Sequence, residues 1–463
     1  MATLTAGRLV RSFGRWRNAE VNRNILAALL TVGVATFALK FAAVGRELVV
    51  AYQFGTGDAL DAFIIAFLPA SFAINVQIAA FSAALMPTFI RVRREDGDAP
   101  ARRIAESTLL AAVAMLIATS LLLLALDEWL IGLLTGGFAP EKRALTIELF
   151  HLLLPVIVIQ GLVKFYGTLL NARRRFGLVA MVPMATPLLT VLLLLAAGRA
   201  DPELLVAGVV VGAAIELVLL LPLARRLDLL VIPRWHGLDP ATRRIMGQYL
   251  PTMLGALTGG TALMIDQGMA AMLDSGSVAT LSYGGKLIAL LLAFSARPLS
   301  AAVLPFLAEL AAANDGRRLR HTFLGWLALT VAASLPIVIV LWYFSVPIVR
   351  LLFERGAFTA EDTALVATIQ GLYALQIPFY LAGVLGSRVL NALSLNQVTA
   401  AIGVLNCIAN IAFDYVFMLW LGLPGIALAT SAVYLCSSLV ILVIVQRRLG
   451  QMCQAGTAAI DEA

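Results

Sequence analysis

The sequence predicts an all-α integral membrane protein with about twelve transmembrane helices, arranged as two parallel six-helix lobes around a central cavity. Hydrophobic residues make up 61% of the 463 residues and charged residues only 13%, whereas soluble chains carry roughly 25% charged residues. Apolar runs of about 20 residues, the length that crosses a bilayer as a helix, recur along the chain. Similar segments also return after about 220 residues.

The apolar runs give the positions of the spans. They are predicted at residues 25–52, 61–88, 105–125, 145–171, 177–198, 204–223, 249–273, 277–306, 322–345, 364–391, 398–420 and 424–446. The predicted organisation is therefore a basic N-terminus (1–24), an N-lobe with the first six spans (25–223), a linker (224–248), a C-lobe with the other six (249–446) and a tail (447–463).

Basic residues are distributed unevenly between the predicted loops. The N-terminus, alternate loops, the cytoplasmic end of the tenth span and the tail hold 24 of the 34 lysines and arginines, whereas the intervening loops hold five. Basic loops are retained on the cytoplasmic side of a membrane. We therefore expect both termini in the cytoplasm, and we interpret the net charge of +7 as a sign of topology rather than of nucleic-acid binding.

An internal repeat relates the two predicted lobes. Leu-Asn-Ala at 170–172 recurs at 390–392, and Ala-Leu-Met-Pro at 84–87 resembles Ala-Val-Leu-Pro at 302–305. Each set of six spans begins on the same side of the membrane, so the repeats are parallel and related by an axis along the membrane normal. This arrangement is typical of alternating-access transporters.

Side chains with oxygen atoms lie at similar predicted depths in three spans of the C-lobe. Asp266 and Asp414 are about 12 Å from the outer ends of their helices, and Thr430 is about 9 Å from its own. Asn410 precedes Asp414 by one helical turn and shares its face. Oxygen ligands suit a hard cation such as Na⁺, the carboxylates could instead carry a proton, and the alternative is a set of structural polar contacts between helices. We expect no other cofactor.

Cationic residues form a second candidate site. Lys40 and Arg46 lie in the first span and Lys286 in the eighth. Cations in a polar cavity would bind a phosphate or pyrophosphate, arginine by its bidentate fork and lysine as a point charge. The alternative for Arg46 is an ion pair with Glu47 or a position at the interface.

Further charged residues within spans include Lys164, Arg297 and Glu216. Lys164 and Arg297 lie near the predicted cytoplasmic ends of long helices, where their charged groups are expected to reach the interface. Glu216 lies near the middle of the sixth span, as a coupling carboxylate or as a hydrogen-bonded contact with a neighbouring helix.

Enzyme motifs are lacking in the sequence. The three histidines occur without a paired metal motif, and neither a GxSxG turn nor a P-loop is present. The chain is therefore predicted to be a transporter rather than an enzyme.

Several segments resemble one known family. The stretches are 45–47 (Gly-Arg-Glu), 54–57 (Phe-Gly-Thr-Gly), 61–63 (Asp-Ala-Phe), 275–278 (Ser-Gly-Ser-Val) and 351–359 (Leu-Leu-Phe-Glu-Arg-Gly-Ala-Phe-Thr). Together they are similar to the MurJ (MviN-like) lipid II flippase family, within the superfamily of multidrug, oligosaccharidyl-lipid and polysaccharide exporters.

The resemblance implies a flippase that moves an undecaprenyl-pyrophosphate-linked glycan, a lipid II-like peptidoglycan precursor, from the inner to the outer leaflet of the bacterial inner membrane. We expect alternating access, coupling to Na⁺ or H⁺, and a monomer. Lys40, Arg46 and Lys286 match the cavity cations of the family, and Asp61 matches an acidic residue of span 2. A sodium site found in some members is matched by Asp266, Asn410, Asp414 and Thr430.

The sequence also departs from the family pattern. Ala73 and Ile74 stand where members carry paired arginines, and Ile78 and Ala79 stand where they carry Glu-Gly. Typical members have two further helices after the last span seen here. A flippase for an exopolysaccharide or O-antigen lipid-linked repeat unit is therefore an alternative, and a multidrug exporter or a membrane glycan polymerase are two others.

Overall fold

The computed structural model describes residues 20–237, 239–313 and 315–461, which are helical apart from short connections. The helices are, in chain order, α1 Glu20–Phe54, α2 Asp58–Glu95, α3 Asp98–Ala125, α4 Asp127–Leu134, α5 Pro140–Leu153, α6 Pro155–Ala172, α7 Phe176–Met181, α8 Ala185–Ala197, α9 Pro202–Arg226, α10 Pro240–Ala270, α11 Ser277–Ala312, α12 Gly316–Tyr343, α13 Ser345–Phe353, α14 Ala360–Ala374, α15 Gln376–Ala392, α16 Asn396–Leu421 and α17 Leu423–Asp461.

The predicted spans all coincide with helices. In the described residues, ten helical stretches are long and apolar enough to cross a membrane. The two other predicted spans are occupied by α1 and α10, which are 35 and 31 residues long. The predicted all-α, multi-pass membrane fold is thus confirmed.

Three predicted spans are not continuous α-helices. The fourth is divided into α5 and α6 at Leu154, directly before Pro155, which lacks the backbone N–H that would continue the helix. The fifth passes through a 3₁₀ turn at Val182–Met184, which contains Pro183. The tenth is divided into α14 and α15 at Leu375.

The structure shows the internal repeat in its backbone. The short helices α4 and α13 follow the third and ninth spans, and neither was predicted as a separate element. Arg174 after α6 and Ser394 after α15 both have left-handed backbones, with φ angles of 61° and 59°. Both helices therefore end in the same turn, 220 residues apart.

The described chain divides into two compact units, each built from separate stretches of sequence. Unit 1 consists of the described part of Met1–Val50 with Gln77–Leu122 and Leu152–Thr252, and unit 2 of Ala51–Val76, Leu123–His151 and the described part of Met253–Ala463. The first half of α2 thus belongs to unit 2 and the second half to unit 1. The lobe boundaries expected from the spans stay a prediction.

The core of unit 1 lies between α2, α3, α6 and α9. Its helices α8 and α9 pack closely because glycines replace larger side chains at their contact. A Cβ atom on Gly208 would lie 2.4 Å from Thr190 Oγ1, and one on Gly212 would lie 2.6 Å from Thr186 Cα. Such close approach is how helices associate in lipid, where burying apolar surface gives little driving force.

The core of unit 2 contains α11, α14, α15 and α17. The last of these helices is longer than the predicted span, since it continues through the predicted tail to Asp461. Leu449 explains part of this extension, because it is fully buried in a cluster with Leu319 and Phe323 of α12.

Candidate functional site

A polar cavity of about 610 Å³ lies within unit 2. Its walls come from α10, α11, α14, α15 and α17. Lys286, Asp266 and Thr430 all line it, together with Tyr373 and Tyr434. The structure therefore places one predicted phosphate ligand and two predicted ion ligands around a single space.

Lys286 is held at its place in the cavity by an aromatic cluster. Its ammonium nitrogen lies 4.4 Å from the ring centroid of Tyr283, one turn earlier on α11, in a cation–π geometry. The Tyr283 ring is fully buried and contacts Phe353 and Phe358, with centroid distances of 5.2 and 5.5 Å. An ammonium group that lies over a fixed ring can occupy fewer positions than one on a freely rotating side chain.

The predicted ion ligands meet at one edge of the cavity. Asn410 Nδ2 donates a hydrogen bond of 3.0 Å to Asp266 Oδ1, and Thr430 Oγ1 donates one of 3.2 Å to Asp266 Oδ2. Asp414 is fully buried, and its carboxylate lies beside that of Asp266. Depth counting along three separate helices thus identified side chains that do come together.

The same group leaves acceptors without donors. Among the described residues, no donor forms a hydrogen bond to either carboxylate oxygen of Asp414 or to the amide oxygen of Asn410. Two adjacent buried carboxylates repel each other unless a cation or a proton lies between them. The all-oxygen ligand set fits Na⁺, and the carboxylate pair fits a shared proton. Structural contacts between helices would account for Asp266 but not for Asp414.

The predicted cations of unit 1 lie on α1. Lys40 is half-buried there, and Arg46 follows it by six residues, or about 9 Å along the helix. Arg46 forms an ion pair with Glu47, the partner that the sequence offered as an alternative to phosphate binding.

Asp61 is completely buried in unit 2 and is surrounded by donors. Lys142 Nζ lies 2.7 Å from its carboxylate. The backbone N–H groups of Gly276 and Ala279 donate to it at 2.8 and 2.7 Å. The carboxylate therefore caps the start of α11 from another part of the chain, as an acidic side chain does at a helix N-terminus.

Neighbouring contacts tie the same segments together. Asp58 accepts hydrogen bonds from Lys142 and from Ser275. Thr56 donates a hydrogen bond to Asp362, and Ala357 N donates one of 2.8 Å to the carbonyl oxygen of Tyr52. Three stretches that carry the family resemblance, near residues 55, 276 and 357, thus contact each other.

Sequence reasoning missed the part played by Lys142. It was counted only as a basic residue of a loop. A signal was available, because the lysine lies two residues after the start of α5, and an acidic pair, Asp58 and Asp61, lies at the start of α2. Nothing in residue spacing, however, brings these two loops together.

Glu216 has partners within unit 1. Gln160 Nε2 donates to it at 2.9 Å and Thr186 Oγ1 at 2.6 Å, so the carboxylate joins α9 to α6 and α8. This is the hydrogen-bonded contact that the sequence left as one of two alternatives. The side chain of Arg297 lies outside the described residues.

Comparison with known proteins decides the family. The family model described as "Lipid II flippase MurJ" matches residues 50–460, most of the chain. The chain belongs to the MurJ family. The recognition made from the motifs is confirmed, and the family consists of transporters rather than enzymes, so the glycan polymerase is no longer an alternative.

Curated members of the MurJ family match over most of their length. The lipid II flippase MurJ of Burkholderia cenocepacia is 25% identical over 451 residues, which cover 92% of this chain and 84% of that protein. The probable lipid II flippase MurJ of Thermotoga maritima is 26% identical over 415 residues, with 88% and 82% covered.

Solved structures share the fold. A lipid II flippase MurJ in an inward closed conformation matches with a TM-score of 0.76 at 21% identity, covering 90% of this chain and 87% of that one. An inward-facing multidrug resistance MATE family transporter also matches with a TM-score of 0.76, at 14% identity, covering 91% and 99%. The MurJ family member described here thus has the fold shared by MurJ and MATE transporters.

Proposed function

We propose that the protein moves an undecaprenyl-pyrophosphate-linked glycan, a lipid II-like precursor of peptidoglycan, from the inner to the outer leaflet of the bacterial inner membrane. Family membership supports a lipid-linked substrate. The observation that carries the proposal is the cavity of unit 2, where Lys286 provides a positive charge inside a membrane-spanning core. A sugar diphosphate needs such a place, because charged groups are very unfavourable in hydrocarbon.

In this proposal the cationic residues of each unit bind diphosphate, Lys286 in the cavity of unit 2 and Lys40 and Arg46 on α1 of unit 1. The planar fork of Arg46 matches two phosphate oxygens once they replace Glu47 in its ion pair, whereas Lys40 and Lys286 act as point charges. Asp61 contributes indirectly, because it holds the start of α11, the helix that carries Lys286. Alternating access then exposes the headgroup on the outer side while the lipid tail stays in the bilayer.

The carboxylate pair Asp266 and Asp414 is proposed to bind the coupling ion, Na⁺ or a proton. When Na⁺ is bound, the side-chain oxygens of Asn410 and Thr430 are available to complete its ligand set. The ion neutralises charge that unit 2 otherwise buries without donors. The distribution of basic residues supports both termini in the cytoplasm, and we propose that the protein works as a monomer.

Transport of labelled lipid II into the outer leaflet of reconstituted vesicles tests the proposal. The double variant Lys286→Ala, Arg46→Ala should slow transport by at least about tenfold, because charge-assisted hydrogen bonds to phosphate are lost. Arg320→Ala is the matched control, since Arg320 is an exposed cation of unit 2 outside the cavity. Full transport by the double variant would refute binding by these cations.

A second lipid-linked glycan is the alternative substrate. Ala73, Ile74 and Ile78 offer no charge where family members have it, which favours a different headgroup. The same vesicles loaded with an undecaprenyl-pyrophosphate-linked exopolysaccharide unit distinguish the two. Faster transport of that lipid than of lipid II would move the assignment to polysaccharide export.

A further inference from the structure

Lys164 is an exposed residue in the middle of α6, a helix whose other residues are buried or half-buried apart from Pro155. Its neighbours on α6, Val163 and Phe165, are buried, and so are the five residues from Tyr166 to Leu170. The helix belongs to a stretch long and apolar enough to span the membrane. Among the described residues, the ammonium group of Lys164 has neither an ion pair nor a hydrogen bond. A charge in that position needs water or an anion beside it.

A cavity of about 200 Å³ adjoins this lysine within unit 1. Its polar lining consists of Lys164, Ser82, Thr168 and Asn171, and the other lining residues are apolar. The lysine was expected to reach the interface past the end of its helix. The structure places it in the wall of a cavity that is large enough for a phosphate group, and the expectation about the interface stays a prediction.

The hydroxyl groups of the cavity have already used their hydrogen atoms. Thr168 Oγ1 donates to the carbonyl oxygen of Lys164 at 2.9 Å. Ser82 Oγ lies 3.0 Å from Thr168 Oγ1, and since a hydroxyl has one hydrogen, Ser82 must be the donor in that pair. The donors left to a ligand are the three ammonium hydrogens of Lys164 and the amide of Asn171. A cation with a neighbouring amide donor is suited to anionic oxygen.

We infer that this cavity is a phosphate-binding site of unit 1, formed by Lys164 and Asn171. The inference rests on the proposed function, because its ligand is the diphosphate of the transported lipid. No acidic side chain lines the cavity to compete for the lysine. The cavity of 200 Å³ holds a phosphate or diphosphate rather than a whole glycan headgroup, so the site recognises the part common to all undecaprenyl-pyrophosphate-linked substrates.

The affinity of the full chain for undecaprenyl pyrophosphate, measured by native mass spectrometry, tests the site. Lys164→Gln should weaken binding about tenfold, and Lys164→Arg should restore most of the affinity because it keeps the charge. Arg175→Gln is the matched control, since it removes one exposed positive charge just after α6 and outside the cavity. Should Lys164→Gln fail to fold, Asn171→Asp provides the same test by adding a negative charge to the cavity.

The outcomes separate the site from the proposed function. Unchanged affinity in Lys164→Gln, or an equal loss in Arg175→Gln, overturns the site, and transport by the wild type would then still support the flippase. A specific loss in Lys164→Gln without any transport by the wild type keeps the site and overturns the flippase. Inorganic pyrophosphate as a competitor shows whether the diphosphate alone suffices, since it displaces the lipid only in that case.

Discussion

The surroundings of Asp414 call for a cation or a proton that the chain itself does not provide. It is fully buried, and its two carboxylate oxygens lack donors among the described residues, whereas Asp266 beside it accepts from Asn410 and Thr430. An unpaired buried carboxylate costs several kcal/mol. The asymmetry suggests that Asp266 is arranged by the protein and that Asp414 is completed by the ion.

Sodium should therefore stabilise the wild-type protein through Asp414. A ligand that binds only the folded state adds about 2.7 kcal/mol at a hundredfold excess over its dissociation constant, which raises the melting temperature. In Asp414→Asn the rise should be lost, while Glu216→Gln in unit 1, an equivalent change of carboxylate to amide, should keep it. Thermal unfolding in Na⁺ against K⁺ measures this. A wild type that does not respond to Na⁺ would leave the proton as the occupant.

Lys142 should contribute strongly to stability, although residue spacing predicted no role for it. Its side chain is 9% exposed and that of Asp61 only 1%, so Lys142→Met leaves a buried charge without its cation. We expect a loss of about 3 kcal/mol in the free energy of unfolding. Adding Asp61→Asn to the same chain should recover part of it, as measured by denaturant unfolding in nanodiscs.

Asp58 provides the comparison for Lys142. It also contacts the lysine, but its side chain is 58% exposed, and exposed ion pairs contribute only about 0–1 kcal/mol. Asp58→Asn should thus change stability little. A large effect there, or none from Lys142→Met, would contradict the importance of burial for this pair.

Site residues could be predicted from the sequence where helix geometry alone determines their position. Asp266 and Asp414 were found because depth along a straight helix is a simple count, and the count needed no knowledge of how helices pack. Lys142 could not be found in that way, because its contact with Asp61 depends on where two loops lie in space. Glu216 was recognised as a buried polar residue, but its partners Gln160 and Thr186 come from packing alone.

At the scale of elements, the start of α11 is a point where several loops meet. Gly276 precedes the helix with a φ of 84°, and a Cβ atom there would lie 2.3 Å from the carbonyl oxygen of Thr56. Both the backbone conformation and the close approach require glycine. The close contact between Gly276 and Thr56 thus keeps the loop at residue 56 beside the start of α11, where Asp61 caps the helix.

Gly276→Ala should therefore destabilise the protein by more than about 2 kcal/mol, since a left-handed alanine already costs roughly 1–2 kcal/mol and the contact with Thr56 adds to it. Gly198→Ala is the control, because Gly198 also has a left-handed backbone, with a φ of 61°, but open space around its Cβ position. Melting temperatures of the two variants give the comparison. Equal losses would show that the contact with Thr56 is unimportant.

Elements were predicted where hydropathy alone marks them and missed where a break lies inside a continuous apolar stretch. The twelve spans follow from the length of hydrocarbon to be crossed, which the physics of the bilayer fixes. The break at Leu154 and the short helix α4 are apolar in sequence, like the spans beside them. Hydropathy therefore cannot separate them, although Pro155 marks the first of these features.

At the scale of the whole molecule, the proposed coupling predicts a dependence on ion gradients. One positive charge moving down 100 mV releases about 2.3 kcal/mol, which is enough to bias a two-state cycle strongly. A sodium ionophore or a protonophore, applied separately to vesicles that transport labelled lipid, should slow the wild type in one case. Asp414→Asn should respond to neither. A wild type insensitive to both would contradict coupling.

The matching turns after α6 and α15 have a practical consequence for handling this protein. Arg174 and Ser394 carry side chains in a backbone region that glycine occupies without strain. Replacing each with glycine should relieve about 1 kcal/mol per site, less the added freedom of the unfolded chain. The two substitutions, one in each half of the duplicated architecture, should therefore stabilise the folded protein during purification.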